Sequence, residues 1–409
     1  MQAGQERVVR GRVVTPEGEI ADGVVIADGD RLAWVGAADE APGEYREAIA
    51  AVPAAPQAYV LPGLVDIHNH GGGGASIPAV QDIAEGLRAV NEHRRYGTTR
   101  MLASLVTAAP EVLLARVAVL ADLADAGEIE GIHSEGPFLA SARCGAQDPA
   151  FLIDGDPALV AAMAEAARGH LATMTVAPEV PGAGQVLDAL CDVGALPSIG
   201  HTDASAPDTR AAVERLVARF GTDGRRPTVT HLFNGMRPLH HREPGPIPVV
   251  LAAARRGEVV LELIGDGVHL DPELVRDVVE IVGPQNVALV TDAMAAAGMA
   301  DGDYRLGSLD VQVADGVARL VEGGSIAGGT AHLIDVVRIS VAGGVPLADA
   351  VRSASLTPAE VLRSRLGADN SGALFGALRP GYQADVVVTD PDLQVQRVVR
   401  NGVDVPRER

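Results

Sequence analysis

Two histidines separated by a single residue stand near the start of the chain, in the segment DIHNHG at 66–71. If this segment ends a strand, His68 and His70 point to the same side and can bind one metal ion. Imidazole nitrogen suits Zn²⁺ and similar divalent ions. The glycines at 71–74 let the backbone leave the strand and approach a ligand closely. A lone pair of this kind is more often two satisfied polar side chains, so the interpretation depends on further ligands downstream.

Three further candidate metal ligands follow short apolar runs later in the chain. Glu135 lies in GIHSEGPFL, His201 in SIGHTDA and His231 in TVTHLFNGM. A buried carboxylate without a partner is costly unless it meets a cation. This favours a metal-binding role for Glu135 over a helix cap or a local salt bridge. Each single histidine could equally be an ordinary core residue, so the histidines gain their meaning from the whole set.

A last candidate, Asp292, follows a nearly continuous apolar run in VALVTDAM. The run predicts a carboxylate in a low-dielectric site. Such a group can take a proton from a metal-activated water and return it to a leaving amine. We also count Asp292 among the candidate metal ligands. The alternative is a structural N-cap of the following segment.

The elements that must position these side chains alternate apolar strand-like runs with helical stretches rich in Ala, Leu and Val. Eight candidate strands lie around 59–66, 98–104, 129–134, 172–177, 196–199, 228–232, 259–264 and 287–290. Eight such units predict a closed (β/α)₈ barrel of the TIM type, although an open doubly wound sheet has the same rhythm. The chemically capable residues stand at the C-terminal strand ends, which a barrel gathers into one pocket. The α/β barrel is therefore the predicted fold.

Both ends of the chain alternate β-branched and polar residues around Gly and Asp turn signals. Segments 7–15 and 22–36 at the start, with 384–390 and 394–403 at the end, predict a small β-sandwich built from both termini. We therefore expect three parts in chain order. Residues 1–60 form the first part of the sandwich, 61–365 the catalytic barrel, and 366–409 the rest of the sandwich.

Composition narrows the classes of function. The formal net charge of −21 repels polyanions, which argues against nucleic-acid binding and against an anionic membrane surface. The N-terminus lacks the apolar region of a signal peptide and the chain has two cysteines, so we expect a cytoplasmic protein. All 33 basic residues are arginine, so any mechanism that needs a lysine amine is excluded.

The motif PGLVDIHNHG, a strand-end carboxylate, two later single histidines and a final strand-end aspartate together resemble the amidohydrolase superfamily. The resemblance covers nearly the whole chain and implies a metal-bearing (β/α)₈ barrel with a small β-sandwich. The lack of lysine argues against branches that bridge two metals with a carbamylated lysine, which leaves Glu135 in that role. Within the superfamily, IHSEGPFL, IGHTDA, THLFNGM, REPG, GDGVHL and LVTDAM most closely resemble the N-acetylglucosamine-6-phosphate deacetylase family.

This family resemblance implies two sets of metal ligands. Glu135, His201 and His231 would hold one ion. His68 and His70 would hold a second ion that shares Glu135. Members that lack the histidine pair use a single ion, whereas this chain keeps the pair. One or two divalent ions per subunit are therefore expected, with Zn²⁺ first and Fe²⁺, Mn²⁺ or Co²⁺ as alternatives.

The resemblance also implies a phosphorylated amino sugar as substrate and a homodimer as the assembly. Arg242 in REPG corresponds to a family arginine that reaches the phosphate, commonly in the neighbouring subunit, and His269 to a substrate-binding histidine. Asn234 and Gly235 would offer a side-chain amide and a backbone N–H. A surface ion pair for Arg242 and a core position for His269 are the alternatives. Gln147 stands where many relatives carry a histidine that polarises the acetyl carbonyl, and this difference could alter the preferred acyl group.

The predicted reaction is hydrolysis of N-acetyl-D-glucosamine 6-phosphate to D-glucosamine 6-phosphate and acetate, with Asp292 as general base and then general acid. Another superfamily hydrolase is the first alternative: an N-acetylgalactosamine-6-phosphate deacetylase, an N-acyl-amino-acid hydrolase or a deaminase. A non-catalytic scaffold barrel is the second alternative. The complete set of candidate ligands argues against a scaffold.

Overall fold

The structure is a computed structural model that describes residues 7–220, 224–364 and 374–406. Within these ranges the strands, numbered in chain order, are β1 (Arg7–Thr15), β2 (Gly18–Asp28), β3 (Arg31–Ala37), β4 (Tyr59–Pro62), β5 (Leu64–Asp66), β6 (Gly71–Gly72), β7 (Ala75–Ser76), β8 (Thr98–Leu105), β9 (Gly131–Glu135), β10 (Leu171–Val176), β11 (Leu196–Ile199), β12 (Thr228–Val229), β13 (Val260–Leu263), β14 (Val287–Leu289), β15 (Gly302–Leu306), β16 (Leu309–Ala314), β17 (Val317–Leu320), β18 (Val386–Thr389), β19 (Val395–Arg400) and β20 (Val403–Asp404). The α-helices are α1 (Arg46–Ala50), α2 (Ile83–Arg95), α3 (Pro110–Asp125), α4 (Pro157–Ala166), α5 (Ala183–Asp192), α6 (Ala206–Phe220), α7 (Ile247–Arg255), α8 (Pro272–Val282), α9 (Leu333–Ala342), α10 (Leu347–Ser353) and α11 (Leu356–Ser364). No helix in the described ranges combines the length and the apolar composition that a bilayer crossing requires.

A sheet of eight parallel strands forms the centre of the fold, in the order β14-β13-β12-β11-β10-β9-β8-β5. The strands are buried on both faces, so they are short apolar runs, as the sequence predicted. The two ends of the sheet meet just beyond β5 and β14. There the Asp292 N–H donates to the His68 carbonyl oxygen at 2.9 Å, and the His70 N–H donates to the Ala293 carbonyl oxygen at 2.7 Å. The predicted barrel is confirmed, and segments that carry candidate site residues close its mouth.

Both termini contribute to a second sheet of seven strands, in the order β20-β19-β18-β4-β1-β2-β3. Adjacent strands in this sheet are antiparallel, except that β1 and β4 run parallel to each other. Side chains such as Val13, Val60 and Val386 form its own apolar cluster. The prediction that both termini build one β module is confirmed. The predicted boundary between 365 and 366 lies outside the described residues, and the division into three parts stays a prediction.

The predicted first strand, 59–66, is wrong in its continuity, because the structure has two strands there. β4 pairs with β18 in the terminal sheet, whereas β5 pairs with β8 in the barrel. Between them the Gly63 N–H donates to the Asp385 carbonyl oxygen at 2.9 Å. A Cβ atom at Gly63 would lie 2.2 Å from Thr99 Oγ1. The chain therefore passes from one sheet to the other at a point where only glycine fits.

A three-stranded antiparallel sheet, β15-β16-β17, lies between the last barrel strand and α9 and was not predicted. Its inner side chains, including Leu306 and Val311, form an apolar cluster with Val106 and Met294. This packing holds the sheet against the barrel mouth. The insertion therefore adds a wall to the region where the candidate site residues lie.

Candidate metal centre at the barrel mouth

A cavity of about 310 Å³ opens at the C-terminal ends of the barrel strands. Most of the predicted site residues line it: His70, Glu135, Gln147, His201, His231, Asn234, Gly235, His269 and Asp292. Leu306 of β15 and the turn at 325–328 complete the wall together with Gly145 and Ala146. The cavity thus has a polar side, formed by the barrel, and an apolar side, formed in part by the inserted sheet.

A first group of potential metal ligands consists of His68, His70, Glu135 and Asp292. The Nε2 atoms of the two histidines are 3.0 Å apart. His70 Nε2 lies 3.1 Å from Glu135 Oε2 and 3.2 Å from Asp292 Oδ1. His68 Nε2 lies 3.3 Å from the same Asp292 oxygen. These residues follow β5 and β14 and end β9, so the group sits where the two ends of the barrel sheet meet.

A second group consists of Glu135, His201 and His231. Glu135 Oε1 lies 2.8 Å from His201 Nε2 and 2.8 Å from His231 Nε2, and these two nitrogens are 3.1 Å apart. Oε1 of Glu135 faces this group, whereas Oε2 faces the first. One carboxylate therefore joins the two groups, and the structure brings all six predicted ligands together.

The hydrogen bonds of the Nδ1 atoms indicate which ring nitrogens of the histidines are free to bind a cation. His68 Nδ1 lies 3.0 Å from Glu262 Oε2. His70 Nδ1 and His201 Nδ1 lie 3.1 Å and 2.8 Å from backbone carbonyl oxygens. These oxygens only accept hydrogen bonds, so Nδ1 carries the proton and the Nε2 of a neutral ring presents a lone pair. Lone pairs about 3 Å apart beside carboxylates repel unless a cation lies between them, so these residues fit divalent metal ions.

The electrostatics of the six residues favour a cation as well. Burial alone would raise the pKa of Asp292, but His68 and His70 lower it to about 2. Burial alone would also raise the pKa of Glu135, but His201 and His68 hold that pKa well below its usual range. Burial would lower the pKa of His68, but the Asp292 and Glu135 carboxylates outweigh it and raise that pKa well above its usual value. Both carboxylates are therefore ionised at neutral pH.

Three of these residues have an unusual backbone conformation. His201, His231 and Asp292 have φ angles of 46°, 28° and 48°. A non-glycine residue in this left-handed region costs about 1 kcal/mol or more. Gly235, also at positive φ, makes room for the ligands, because a Cβ atom there would lie 2.8 Å from His201 Nδ1. The packed barrel thus holds these ligands in conformations that the isolated chain would seldom adopt.

Gln147 connects the shared ligand to a neighbouring loop. Its side chain is buried, its Nε2 donates to Glu135 Oε2 at 2.7 Å, and its Oε1 accepts the Thr107 N–H at 2.7 Å. Because both ends of the amide are engaged, these bonds fix the rotation of the Glu135 carboxylate. Contact between Gln147 and a substrate stays a prediction, since its observed partners are protein groups.

His269 brings a further polar ring to the cavity, next to Asp292. His269 Nε2 lies 3.9 Å from Asp292 Oδ2, and His269 Nδ1 lies 2.8 Å from Asp266 Oδ2. Burial lowers the pKa of His269, but the Asp266 hydrogen bond outweighs it and raises that pKa above the usual value. His269 can therefore donate a charged hydrogen bond to an oxygen in the cavity. Asn234 and Gly235 also line the cavity, as the prediction required.

Arg242 is the predicted residue that the structure does not bring to the cavity of its own chain. It is exposed on the loop between β12 and α7, as are His240 and His241. Its Nη1 atom lies 2.9 Å from His241 Nε2. A role for Arg242 in substrate binding, whether in its own subunit or across a subunit interface, stays a prediction.

Sequence reasoning missed Glu262, which is buried in β13 and holds the metal-ligand candidate His68 through Nδ1. The same carboxylate accepts the His231 N–H at 3.4 Å. The signal that could have found it is a charged residue inside the apolar run VVLELIG, because a buried carboxylate needs a partner. Glu262 thus contacts one histidine of each ligand group, His68 and His231.

A parallel barrel whose mouth gathers four histidines and one aspartate around a shared glutamate defines the class of metal-dependent barrel hydrolases. Residues 59–405 of the chain match the amidohydrolase family. The chain belongs to this family and, within it, to the group that includes the N-acetylglucosamine- and N-acetylgalactosamine-6-phosphate deacetylases.

Three relatives illustrate the similarity. The N-acetylgalactosamine-6-phosphate deacetylase of Escherichia coli O157:H7 is 33% identical over 349 residues, which are 84% of this chain and 86% of the relative. The N-acetylglucosamine-6-phosphate deacetylase of Homo sapiens is 32% identical over 365 residues, 84% of this chain and 82% of the relative. The structure of a mutant Mycobacterium smegmatis N-acetyl-D-glucosamine-6-phosphate deacetylase, in complex with N-acetyl-D-glucosamine-6-phosphate, is 40% identical with a TM-score of 0.87. The match covers 98% of this chain and 100% of that one.

Proposed function

We propose that this chain hydrolyses N-acetyl-D-glucosamine 6-phosphate to D-glucosamine 6-phosphate and acetate. The observation that carries the proposal is the convergence of two ligand groups on Glu135 with Asp292 beside them. This arrangement lies at the mouth of a barrel whose relatives are deacetylases of phosphorylated amino sugars. The reaction therefore needs a divalent ion, an ionised carboxylate and a site for an anionic sugar.

The two ligand groups would hold divalent ions, which supply Lewis acidity that acidifies water and polarises a carbonyl oxygen. Asp292 accepts a proton from the attacking water as the water oxygen adds to the acetyl carbon. When the tetrahedral intermediate collapses and the C–N bond breaks, Asp292 returns this proton to the leaving nitrogen. The low pKa of Asp292, about 2, keeps it in the ionised form that the first step requires.

Other residues would hold the substrate in place for this step. His269, with its raised pKa, donates a hydrogen bond to a substrate oxygen next to Asp292. Asn234 and the backbone of Gly235, in the loop after β12, bind the sugar phosphate at the cavity wall. Because the net charge of −21 repels an anion, the phosphate needs a local cation. Arg242 of the partner subunit would supply this charge in a homodimer.

Several finer points belong to the same proposal. The chain retains His68 and His70 in the first ligand group, which supports two ions per subunit. Imidazole and carboxylate ligands suit Zn²⁺, with Fe²⁺, Mn²⁺ and Co²⁺ as alternatives. The homodimer and the cytoplasmic location stay predictions from the sequence.

A second candidate substrate differs only in the configuration of one hydroxyl group. The 33% identical relative from Escherichia coli O157:H7 is a deacetylase of the galacto epimer. The same ligand groups and the same proton transfers serve either epimer, so the experiment must compare both sugars.

Acetate release tests the proposal. Metal-loaded and chelated enzyme are incubated with N-acetylglucosamine 6-phosphate, its galacto epimer and unphosphorylated N-acetylglucosamine. We expect metal-dependent release that is fastest with the gluco phosphate. Faster release from the galacto phosphate would mean that the galacto epimer is the preferred substrate and would leave the proposed mechanism unchanged. Ammonia release would indicate a deaminase, and release without metal would refute the mechanism.

A further inference from the structure

A carboxylate that the sequence analysis did not single out connects the loops around the mouth. Asp203 stands in the loop after β11, two residues beyond the ligand His201. Its Oδ1 accepts a hydrogen bond from Arg143 Nε at 2.8 Å, and its Oδ2 accepts one from Arg237 Nη2 at 2.8 Å. Arg143 lies in the loop after β9, and Arg237 lies in the loop after β12. One side chain therefore ties three loops together.

A fourth loop joins them through Glu179, which follows β10. Glu179 Oε1 accepts the Asp203 N–H at 2.5 Å, and Glu179 Oε2 accepts the Thr202 hydroxyl at 2.7 Å. We call Glu179, Asp203, Arg143 and Arg237 the loop clasp. The clasp links the loops that follow four successive strands of the barrel.

Three of the four clasped loops, those after β9, β11 and β12, carry part of the candidate site. The Arg143 carbonyl oxygen lies 2.8 Å from His201 Nδ1, so this loop orients a metal ligand. The Thr202 N–H donates to the Gly235 carbonyl oxygen at 2.9 Å, and the Arg237 N–H donates to the Thr202 carbonyl oxygen at 3.0 Å. These bonds set the position of the cavity wall at Gly235 relative to the ligand loop.

The clasp also reaches the segment that carries Arg242. The stem of Arg237 packs over Gly245, where an added Cβ atom would lie 3.2 Å from the Arg237 Cδ. Gly245 follows Arg242 by three residues in the motif REPG. Asp203 therefore holds the side chain of Arg237, which packs over Gly245 in the segment proposed to bind phosphate.

We infer that Asp203 is a positioning residue for phosphate recognition. Through Arg143 and Arg237 it sets the distance between the metal ligands and the loop that carries Asn234, Gly235 and Arg242. This inference rests on the proposed function. The side chains of Asp203, Arg143 and Arg237 are about one-third exposed, and ion pairs of such exposure add little to global stability. The clasp therefore controls the relative positions of the loops rather than the folding of the barrel.

The variant Asp203→Asn tests the inference. Asparagine keeps the shape of the side chain but removes the charge and one of the two acceptor oxygens. We expect KM for N-acetylglucosamine 6-phosphate to rise about tenfold, because small displacements of a positioned group are costly. The turnover number, the bound metal and the kcat/KM for the unphosphorylated sugar should stay within about threefold of wild type.

Two further variants serve as comparison and control. Arg237→Gln breaks the same clasp from the other side, so it should raise the same KM, and the double variant should show little additional effect. Asp188→Asn breaks an exposed charged pair with Arg215 between α5 and α6, away from the mouth, and should leave all kinetic constants unchanged.

Hydrogen exchange gives a readout that does not depend on the substrate. In Asp203→Asn, backbone amides in 140–147 and 234–245 should exchange faster than in wild type, while the barrel strands keep their protection. Unchanged KM and unchanged exchange would overturn the inference, and so would a lower KM caused by two released guanidinium groups. An equal loss of activity on both sugars with loss of metal would show a general structural role instead. Failure of wild-type enzyme to release acetate would contradict the proposed function, and the exchange experiment would still decide the role of the clasp.

Discussion

The mouth of the barrel consists of two regions that are built by different means. The metal region contains His68, His70, Glu135, His201, His231 and Asp292. The loop region contains Gln147, Asp203, Asn234, Gly235 and Arg242. Side chains of the metal region are buried, except that Asp292 is 13% exposed, and they come from strand ends or the residues next to them. Asp203 and Arg242 lie in longer loops and are partly or fully exposed. The barrel itself fixes the first region, but the second region depends on contacts between loops.

This difference separates two kinds of effect. Substitutions in the metal region should change metal affinity and turnover, because they remove groups that hold ions or protons. Substitutions in the loop region should change the affinity for the phosphorylated sugar and leave the chemical step intact. Three substitutions and one pH dependence test this separation.

The largest effect is expected for Asp292→Asn. Asparagine cannot accept the proton from water, so kcat should fall by about 10²–10⁴-fold, the usual contribution of a general acid or base. Steady-state kinetics checks the turnover number, and circular dichroism checks the fold. Asp303→Asn, an exposed change in β15, is the matched control and should have normal kinetics. Near-normal turnover in Asp292→Asn would contradict the assigned role.

Glu262→Gln should act on the metal alone. The amide can no longer fix the His68 tautomer as a carboxylate does, and loss of such a partner typically lowers metal affinity by about 10–100-fold. Competition with a chromophoric chelator measures the affinity. Glu258→Gln, which breaks only a surface pair with Arg256, is the control. An affinity equal to that of wild type would show that Glu262 does not support metal binding through His68.

Metal binding should release protons. Burial lowers the pKa values of His68, His70 and His201, but the neighbouring carboxylates outweigh it and raise all three. Raised pKa values favour the protonated form of these rings in metal-free protein, and we expect a metal ion to displace these protons from Nε2. Affinity should therefore increase with pH, by about tenfold per pH unit for each proton released.

Calorimetric titrations in buffers of different ionisation enthalpy count the released protons. A metal affinity that does not change between pH 6 and pH 8 would show that the rings are not protonated in the metal-free protein.

The smallest effect is expected for Arg242→Gln. If this guanidinium contacts the phosphate from the partner subunit, its loss should raise KM for the phosphorylated sugar about tenfold, as loss of a charge-assisted hydrogen bond does. Turnover and metal affinity should not change. Arg215→Gln on α6 is an exposed control far from the mouth. A large drop in kcat with unchanged KM would place Arg242 with the catalytic groups and break the separation between the regions.

The metal region could be predicted from the sequence because the barrel gives each strand end a fixed place. An apolar run that ends in a potentially catalytic or metal-binding side chain, as VALVTD ends in Asp292, predicts both a strand and a site residue at its C-terminal end. Glu262 escaped notice because it lies inside such a run rather than at its end. The run at 59–66 was assigned to one strand because apolar patterning does not show where a chain passes from one sheet to another.

The loop region could be predicted only in part. Asn234 and Gly235 followed from a motif, and both line the cavity. Asp203 did not, because its partners Arg143 and Arg237 are 60 and 34 residues away and lie in other loops. The inserted sheet β15-β16-β17 shows alternating burial in β16, but its place at the mouth depends on packing against Val106, which no local pattern encodes.

The central claim is that divalent ions held by the metal region drive amide hydrolysis. Chelated enzyme can be titrated with Zn²⁺ while bound metal per chain and acetate release from N-acetylglucosamine 6-phosphate are measured on the same samples. We expect acetate release to rise with metal occupancy and to level off when two ions are bound per chain. Full acetate release from metal-free enzyme, or no stoichiometric metal binding, would contradict it.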